Sequence, residues 1–333
     1  MNFKHQHAAH CESGVVSSLL QHHGMDVSEA MTFGLASALA FAYLPFIRIS
    51  GLPLIAYRMP PKAILKGIQK RLGVRMRHET FRDTAAGMAR LDELLAQGQP
   101  VGLQASVYWL PYFPPDMRFH FNAHNLIVYG KEGDEYLISD PVAETPVRAA
   151  SADLKKARFA RGVLAPRGLL YYPVRLDPPR DLRPAVMAAI RRTARVMLHA
   201  PLPIIGIRGM RMLARRIGAL ARSGDAERTA LFVGHVVRMQ EEIGTGGGGF
   251  RFIYASFLQE AAQKLGDPAL AQAAVETTAA GDHWREFALA AARMCKGRTP
   301  MDCSHLQRMF MEGAAREEQL FRRLAAASAR VSA

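Results

Sequence analysis

The pattern of apolar and polar positions changes character near the middle of the chain. In the first half, short helical stripes alternate with short runs of β-branched and aromatic residues, whereas beyond Pro179 alanine, arginine and long aliphatic residues recur at helical spacing. Val15, Val16, Leu19, Leu20 and His23 predict a first helix that stops at Gly24 and carries Cys11 at its N-terminus. A second helix is expected after Asp26 or Ser28. A third is expected over Arg82 to Gly98, on the pattern of Leu91, Leu94 and Leu95. Residues 101–107, 125–129, 136–139 and 169–174 read as strands, so this half is predicted to be α+β. The apolar run from Ala36 to Ile47 contains Pro45 and ends at Arg48; it is shorter than a bilayer span and is predicted as a buried helix.

The second half reads as all-helical, with helices at 183–199, 206–222, 226–242, 250–265, 268–280, 282–295 and 303–328, separated by glycines, prolines and polar turns. The Asp177-Pro178-Pro179 stretch marks the expected boundary, giving domains 1–178 and 179–333. Gly244-Thr245-Gly246-Gly247-Gly248-Gly249 precedes the helix near Phe250 and resembles a phosphate cradle. It lacks the lysine and Ser/Thr of a P-loop and no strand feeds it, so it is read as a hinge or a close-packing turn.

Composition bounds the function. The chain has 333 residues, 49% of them hydrophobic, which is enough for a sizeable core, and it carries a net charge of +14. Between Arg180 and Arg222 ten arginines face one acid, Asp181, so an acidic partner is expected, whether a carrier protein, an anionic lipid surface or nucleic acid. No zinc-finger, basic-zipper or ribonucleoprotein signature is present, and nucleic acid is not expected. Peripheral membrane contact is a further reading of Ile204 to Leu220, where apolar residues alternate with Arg208, Arg211, Arg215 and Arg216. Three scattered cysteines and the absence of an opening signal peptide favour a reducing, cytoplasmic location.

A thiol attacks as its thiolate, which a helix N-terminus and a neighbouring histidine favour. Cys11 meets the first condition, whereas Cys295 and Cys303 lie in helical surroundings and read as structural. The stretch around His124 and the return from Glu135 to Asp140 form a predicted hairpin with a Lys131-Glu132-Gly133-Asp134 turn. Pairing symmetric about position 132 would set His124 directly opposite Asp140, their Cβ atoms about 4.5–5.5 Å apart. A carboxylate so placed orients a histidine base, and Cys11, His124 and Asp140 are the candidate catalytic residues. The Cys11 backbone N–H is one candidate oxyanion donor, with His5 or Gln6 upstream as the second and His10 and Asn125 close by. His7, His10 and Cys11 match no familiar zinc spacing, and no metal or bound cofactor is expected. Tyr108, Trp109, Tyr112, Phe113, Phe119 and Phe121 lie between two strands just before His124 and are candidates for the wall of an apolar acyl pocket.

His5-Gln-His-Ala-Ala-His-Cys-Glu-Ser-Gly14 and Ser28-Glu-Ala-Met-Thr-Phe-Gly-Leu35, with Ala123-His124-Asn125 and Ser139-Asp140-Pro141, resemble the N-terminal domain of butirosin biosynthesis protein H over roughly residues 3 to 176. Phe250-Arg-Phe-Ile-Tyr254 and Phe257-Leu-Gln-Glu260 resemble the helical domain that often follows it. The resemblance implies a papain-like fold with an antiparallel sheet. It also implies an acyltransferase that takes an acyl group from the phosphopantetheine of an acidic acyl carrier protein, holds it on Cys11, and passes it to a small amine such as an amino acid, amino sugar or polyamine. Arg191, Arg192, Arg195, Arg208, Arg211, Arg215 and Arg216 would then be the carrier-docking residues. Papain-like peptidases that trim bacteriocin leaders place a glutamine six residues before the cysteine; here that position is His5, with Gln6 beside it. A cysteine hydrolase, whether peptidase, amidase or thioesterase, would use the same three residues.

Overall fold

A computed structural model describes residues 3–49, 51–222 and 224–329. The chain forms two compact units. One runs to Thr32 and resumes over Ile64–Arg180, and the other comprises Phe33–Ala63 and everything from Asp181 onward.

The first unit opens with α1 (Cys11–His22), followed by α2 (Glu29–Leu35), which runs out of this unit at Thr32. The chain then forms two strands of the second unit, β1 (Leu39–Ile49) and β2 (Leu52–Arg58), and returns through α3 (Ala63–Leu72). Next come β3 (Val74–Glu79), α4 (Thr84–Ala96), β4 (Val101–Ala105), β5 (His124–Glu132), β6 (Glu135–Ser139), β7 (Val147–Ala150), α5 (Ser151–Arg158) and β8 (Leu170–Leu176). The six strands of this unit form one antiparallel sheet in the order β3-β8-β4-β5-β6-β7. Leu91 and Leu94 of α4 and Leu154 and Ala157 of α5 bury one face of it, against Val101, Leu103, Leu126, Val128 and Leu170. Alternation sends Gly102, Asn125, Ile127 and Tyr171 to the other face, where α1 packs. A helix headed by cysteine thus lies across an antiparallel sheet that carries the histidine, the α+β arrangement expected from the sequence. The elements of this unit missing from the sequence reading, α3, β3, β7 and α5, are short, so their apolar period is sampled only two or three times, and β2 of the other unit was missed with them.

Two expectations need correction. Ala36 to Ile47 is mostly strand rather than buried helix: β1 pairs with β2, setting Tyr43 opposite Ile55, and Gly51 at φ +80° lies where the two strands join. Phe41 and Tyr43 point into the core while Ala42 and Leu44 are half-buried, a period of two that aromatic residues favour and the apolar run concealed. The second correction is the hairpin register. β5 and β6 are joined by Gly133-Asp134 alone, with Gly133 at φ +59°, and an irregularity between Val128 and Gly130 shifts the pairing so that Ile127 faces Ser139. One step further along, Asp140 comes opposite Leu126 and is the diagonal neighbour of His124 on the same face.

In the second unit, β1 and β2 accompany six helices: α6 (Arg183–His199), α7 (Gly206–Ala219), α8 (Ala226–Glu241), α9 (Arg251–Leu265), α10 (Pro268–Cys295) and α11 (Cys303–Ala329). The expected helices 268–280 and 282–295 are one. Gly281 does not break α10; a Cβ there would meet the Phe252 ring at 2.8 Å, so the glycine marks a close helix contact. The fully buried Arg251 donates to both oxygens of Glu317, at 2.7 and 2.8 Å, and the Trp284 indole N–H donates to the same carboxylate at 2.6 Å. The glycine run is a packing turn. Gly244, Gly246, Gly247, Gly248 and Gly249 all have positive φ, the Gly248 N–H is taken by the Glu241 carboxylate at 3.1 Å, and a Cβ on Gly249 would strike Tyr57 at 2.4 Å.

Candidate active site

The head of α1 at Cys11 is held by its own first turn and by groups distant in sequence. His10 is the N-cap of α1, its Nδ1 accepting the Ser13 N–H at 3.3 Å. The Glu29 carboxylate accepts the backbone N–H groups of Ala9 and His10, at 3.0 and 2.8 Å, and the Ser13 hydroxyl at 3.0 Å. Burial outweighs these bonds and raises the Glu29 carboxyl above its ordinary range. Glu12, the residue after the cysteine, points the other way and accepts the Ile64 and Leu65 N–H groups in the first turn of α3. The cysteine is thereby fixed at the head of its helix from both sides.

His124, the first residue of β5, donates or shares its Nε2 proton with Asp140 Oδ2 at 2.7 Å. The remaining nitrogen, Nδ1, is the one available for the side-chain hydrogen bond between His124 and Cys11. Burial alone would lower the histidine; the carboxylate of Asp140 and then the sulfur of Cys11 overcome it and raise His124 from 6.5 to about 10. Asp140 is completely buried and accepts two further bonds, from the Tyr112 hydroxyl to Oδ2 at 2.7 Å and from the Val142 N–H to Oδ1 at 3.1 Å. The Phe113 ring stands edge-on to the imidazole at 5.5 Å between centroids. Cys11, His124 and Asp140 therefore meet although the register is not the one the sequence suggested.

The other sequence candidates divide. Asn125 reaches the cysteine, its Nδ2 3.9 Å from Sγ. His5 does not offer an oxyanion donor: Nε2 donates to the Ala143 carbonyl at 3.1 Å and Nδ1 meets the Ser139 hydroxyl at 2.8 Å, so both ring nitrogens are engaged. Gln6 donates to Gln21, ten residues along α1 from Cys11 and about 15 Å away at the helical rise. It lies instead in a surface depression with Lys4, Ser18, His22 and Asp26. His10 serves the helix cap.

The aromatic segment does not gather into one wall. Tyr112 and Phe113 turn inward, to Asp140 and His124, and Phe121 is half-buried, packing at 6.1 Å from Phe119. Tyr108, Trp109 and Phe119 are exposed, with Tyr108 stacked on His120 and Lys156 over the Trp109 ring. Of the seven arginines, Arg191 donates to the Ser328 carbonyl and Arg211 to Glu318, which ties them into the helical unit. Arg192, Arg195, Arg208, Arg215 and Arg216 are exposed. The apolar stripe of the Ile204 to Leu220 stretch is not available to a membrane, because Ile207, Met210, Leu213 and Ile217 are core residues. Among the described residues no helix is long and apolar enough to cross a membrane.

Sequence reasoning gave no role to Glu29, Tyr112 as a partner of Asp140, or Tyr171. Glu29 lay within the Ser28 to Leu35 motif, Tyr112 read as a candidate for the wall of the acyl pocket, and Tyr171 read only as part of a strand; their bonds span from sixteen to forty-six residues.

The pattern described as butirosin biosynthesis protein H, N-terminal, matches residues 10–141, and that described as a domain of unknown function, DUF4872, matches residues 152–324, just over half of the chain. No curated protein matches. Among solved structures the chain is similar to one described as a C39-like peptidase from Bacillus anthracis, at 15% identity over 53% of this chain and 96% of that one, with a TM-score of 0.38.

Proposed function

Because the chain belongs to the DUF4872 family and carries ahead of that region one matching the N-terminal part of butirosin biosynthesis protein H, we propose that it is a cysteine-dependent acyltransferase with Cys11 as nucleophile. The observation that carries this reading is the buried pair of His124 and Asp140, 2.7 Å apart, with Cys11 interacting with the same imidazole. Such an arrangement keeps a thiolate and an imidazolium side by side.

In the first half-reaction the Cys11 thiolate attacks the carbonyl carbon of a carrier-bound thioester. The C–Sγ bond forms, the carbonyl electron pair moves onto oxygen, and collapse breaks the bond to the phosphopantetheine sulfur, which leaves with the proton of His124. In the second, an amine attacks the Cys11 thioester and gives a proton to His124; the C–N bond forms, the C–Sγ bond breaks and the thiolate–imidazolium pair returns. The exposed arginines Arg192, Arg195, Arg208, Arg215 and Arg216 are the proposed contacts for an acidic carrier protein.

Intact-mass measurement after incubation with acetyl- or decanoyl-loaded acyl carrier protein tests the proposal. The expected result is an acyl adduct that disappears in Cys11→Ala and that candidate amines, but not buffer, discharge as amides. Free acid as the product regardless of amine would make the protein a hydrolase; absence of any Cys11-dependent adduct would overturn both readings.

A further inference from the structure

The Asn125 side chain is held from three directions. Its Oδ1 accepts the Tyr171 hydroxyl at 2.8 Å, Nδ2 donates to the Ala123 carbonyl at 3.1 Å, and the same Nδ2 faces Cys11 Sγ at 3.9 Å. Tyr171 is itself fully buried. Burial first, then the nearby Glu12 and Cys11, hold its phenol well above the usual range, so it remains a hydrogen-bond donor. Flipping the amide would set Nδ2 against that donor and leave a buried O–H without an acceptor, which fixes the nitrogen toward the sulfur. The ring of Tyr171 is in turn seated by Gly102 on the neighbouring strand, where a Cβ would lie 2.4 Å from it.

An acyl carbon attached to Sγ holds its oxygen two bonds from the sulfur, so a donor 3.9 Å from Sγ on the side to which the carbonyl turns meets that oxygen at the roughly 2.7–3.1 Å that oxyanion stabilisation requires. In the resting site the amide hydrogen points at sulfur; once the carbonyl is attacked, the developing negative charge moves onto oxygen and becomes its acceptor. His5 and Gln6, the upstream alternatives, have their donors committed to Ala143 and Gln21.

Resting on the reading of Cys11 as nucleophile, we infer that Asn125 Nδ2 is the side-chain oxyanion donor of this site and that Tyr171 is the positioning residue that aims it. The donor comes from the strand residue after the base rather than from the segment before the nucleophile. It is therefore carried by the sheet, the same rigid element that carries His124.

The test separates two reactions of the same sulfur. Alkylation by iodoacetamide displaces iodide at a saturated carbon and forms no oxyanion, whereas acylation by p-nitrophenyl acetate or an acetyl N-acetylcysteamine thioester does. Asn125→Ala is expected to lower the acylation rate about 10²–10³-fold with alkylation unchanged. Asn125→Asp should do no better, since a carboxylate has no hydrogen to donate. Tyr171→Phe should lower acylation by roughly tenfold, the worth of one orienting hydrogen bond, again without affecting alkylation. Full acylation in Asn125→Ala, a parallel fall of both rates, or wild-type acylation in Tyr171→Phe would each overturn the inference. Failure of the wild-type protein to react at Cys11 with either reagent would instead overturn the reading of Cys11 as nucleophile.

Discussion

Asp140 shows how much a single buried carboxylate decides. Its two oxygens accept from His124, Tyr112 and the Val142 N–H, so it is fully committed to holding one ring in one orientation. Burial on its own lowers His124, and Asp140 is the leading influence that reverses this. The sign of the pH dependence follows. A histidine raised from 6.5 to about 10 contributes stability that is complete below pH 6.5 and is lost as pH rises through about 10. In the wild-type protein the alkaline limb of the acylation profile is therefore expected near pH 10, where the imidazolium that protonates the leaving thiol is lost. In Asp140→Asn, burial is no longer opposed by the carboxylate, and that limb should move back toward or below the ordinary histidine range. An unmoved limb, measured by stopped-flow acylation across pH 6–11, would show that Asp140 does not govern His124. That Cys11, His124 and Asp140 come together was legible in the sequence, because candidates for nucleophile, base and orienter are recognised by side-chain chemistry. The hydrogen bonds of Tyr112 and Tyr171 were not, because a tyrosine hydroxyl leaves no trace in an apolar period.

At the scale of elements, the head of α1 depends on a residue that begins another helix. Glu29 takes the N–H groups of Ala9 and His10 and the Ser13 hydroxyl, so one carboxylate satisfies the approach to the helix headed by Cys11. Glu29→Ala would leave the N–H of the buried His10 without its acceptor, at an expected cost of about 1–3 kcal/mol in urea unfolding. Because the loosened segment ends at Cys11, acylation should slow as well. A variant with both wild-type stability and wild-type rate would show that the loop is held by other means. Periodicity located α1 and placed Cys11 at its start, but a carboxylate reaching back nineteen or twenty residues is invisible to any window of one helix. The hairpin teaches the same lesson from the other side. Its two strands were legible from their alternation, while the register turned on a two-residue connection and an irregularity near Tyr129. The diagonal placement kept His124 and Asp140 on one face because the error was an even number of residues; an odd one would have separated them.

For the whole molecule, the change of composition near Asp177-Pro178-Pro179 lies close to the Arg180–Asp181 division, but the units are not consecutive pieces of chain. The hairpin of β1 and β2 belongs to the second unit, where Phe41, Tyr43, Ile55 and Tyr57 are almost completely buried. Tyr43 donates its N–H to the Ile204 carbonyl, Ala42 bridges to Ile205, and the Ser37 hydroxyl donates to the Ala189 carbonyl. A fragment ending at residue 178 would retain Cys11, His124, Asp140 and the whole six-stranded sheet, yet it would strip this hairpin of the helices that cover it. A two-stranded hairpin with four large uncovered side chains has no independent stability and presents a surface that associates. The 1–178 fragment is therefore expected to bind 8-anilinonaphthalene-1-sulfonate strongly and to run as oligomers in size-exclusion chromatography, where the full chain does neither. A monomeric, dye-silent 1–178 fragment would mean that the hairpin is stable without residues beyond 180. The expected outcome makes the helical region a requirement for handling the sheet-bearing region, whatever else it binds, because the chain enters it at Phe33 and returns at Ile64 before the sheet is built.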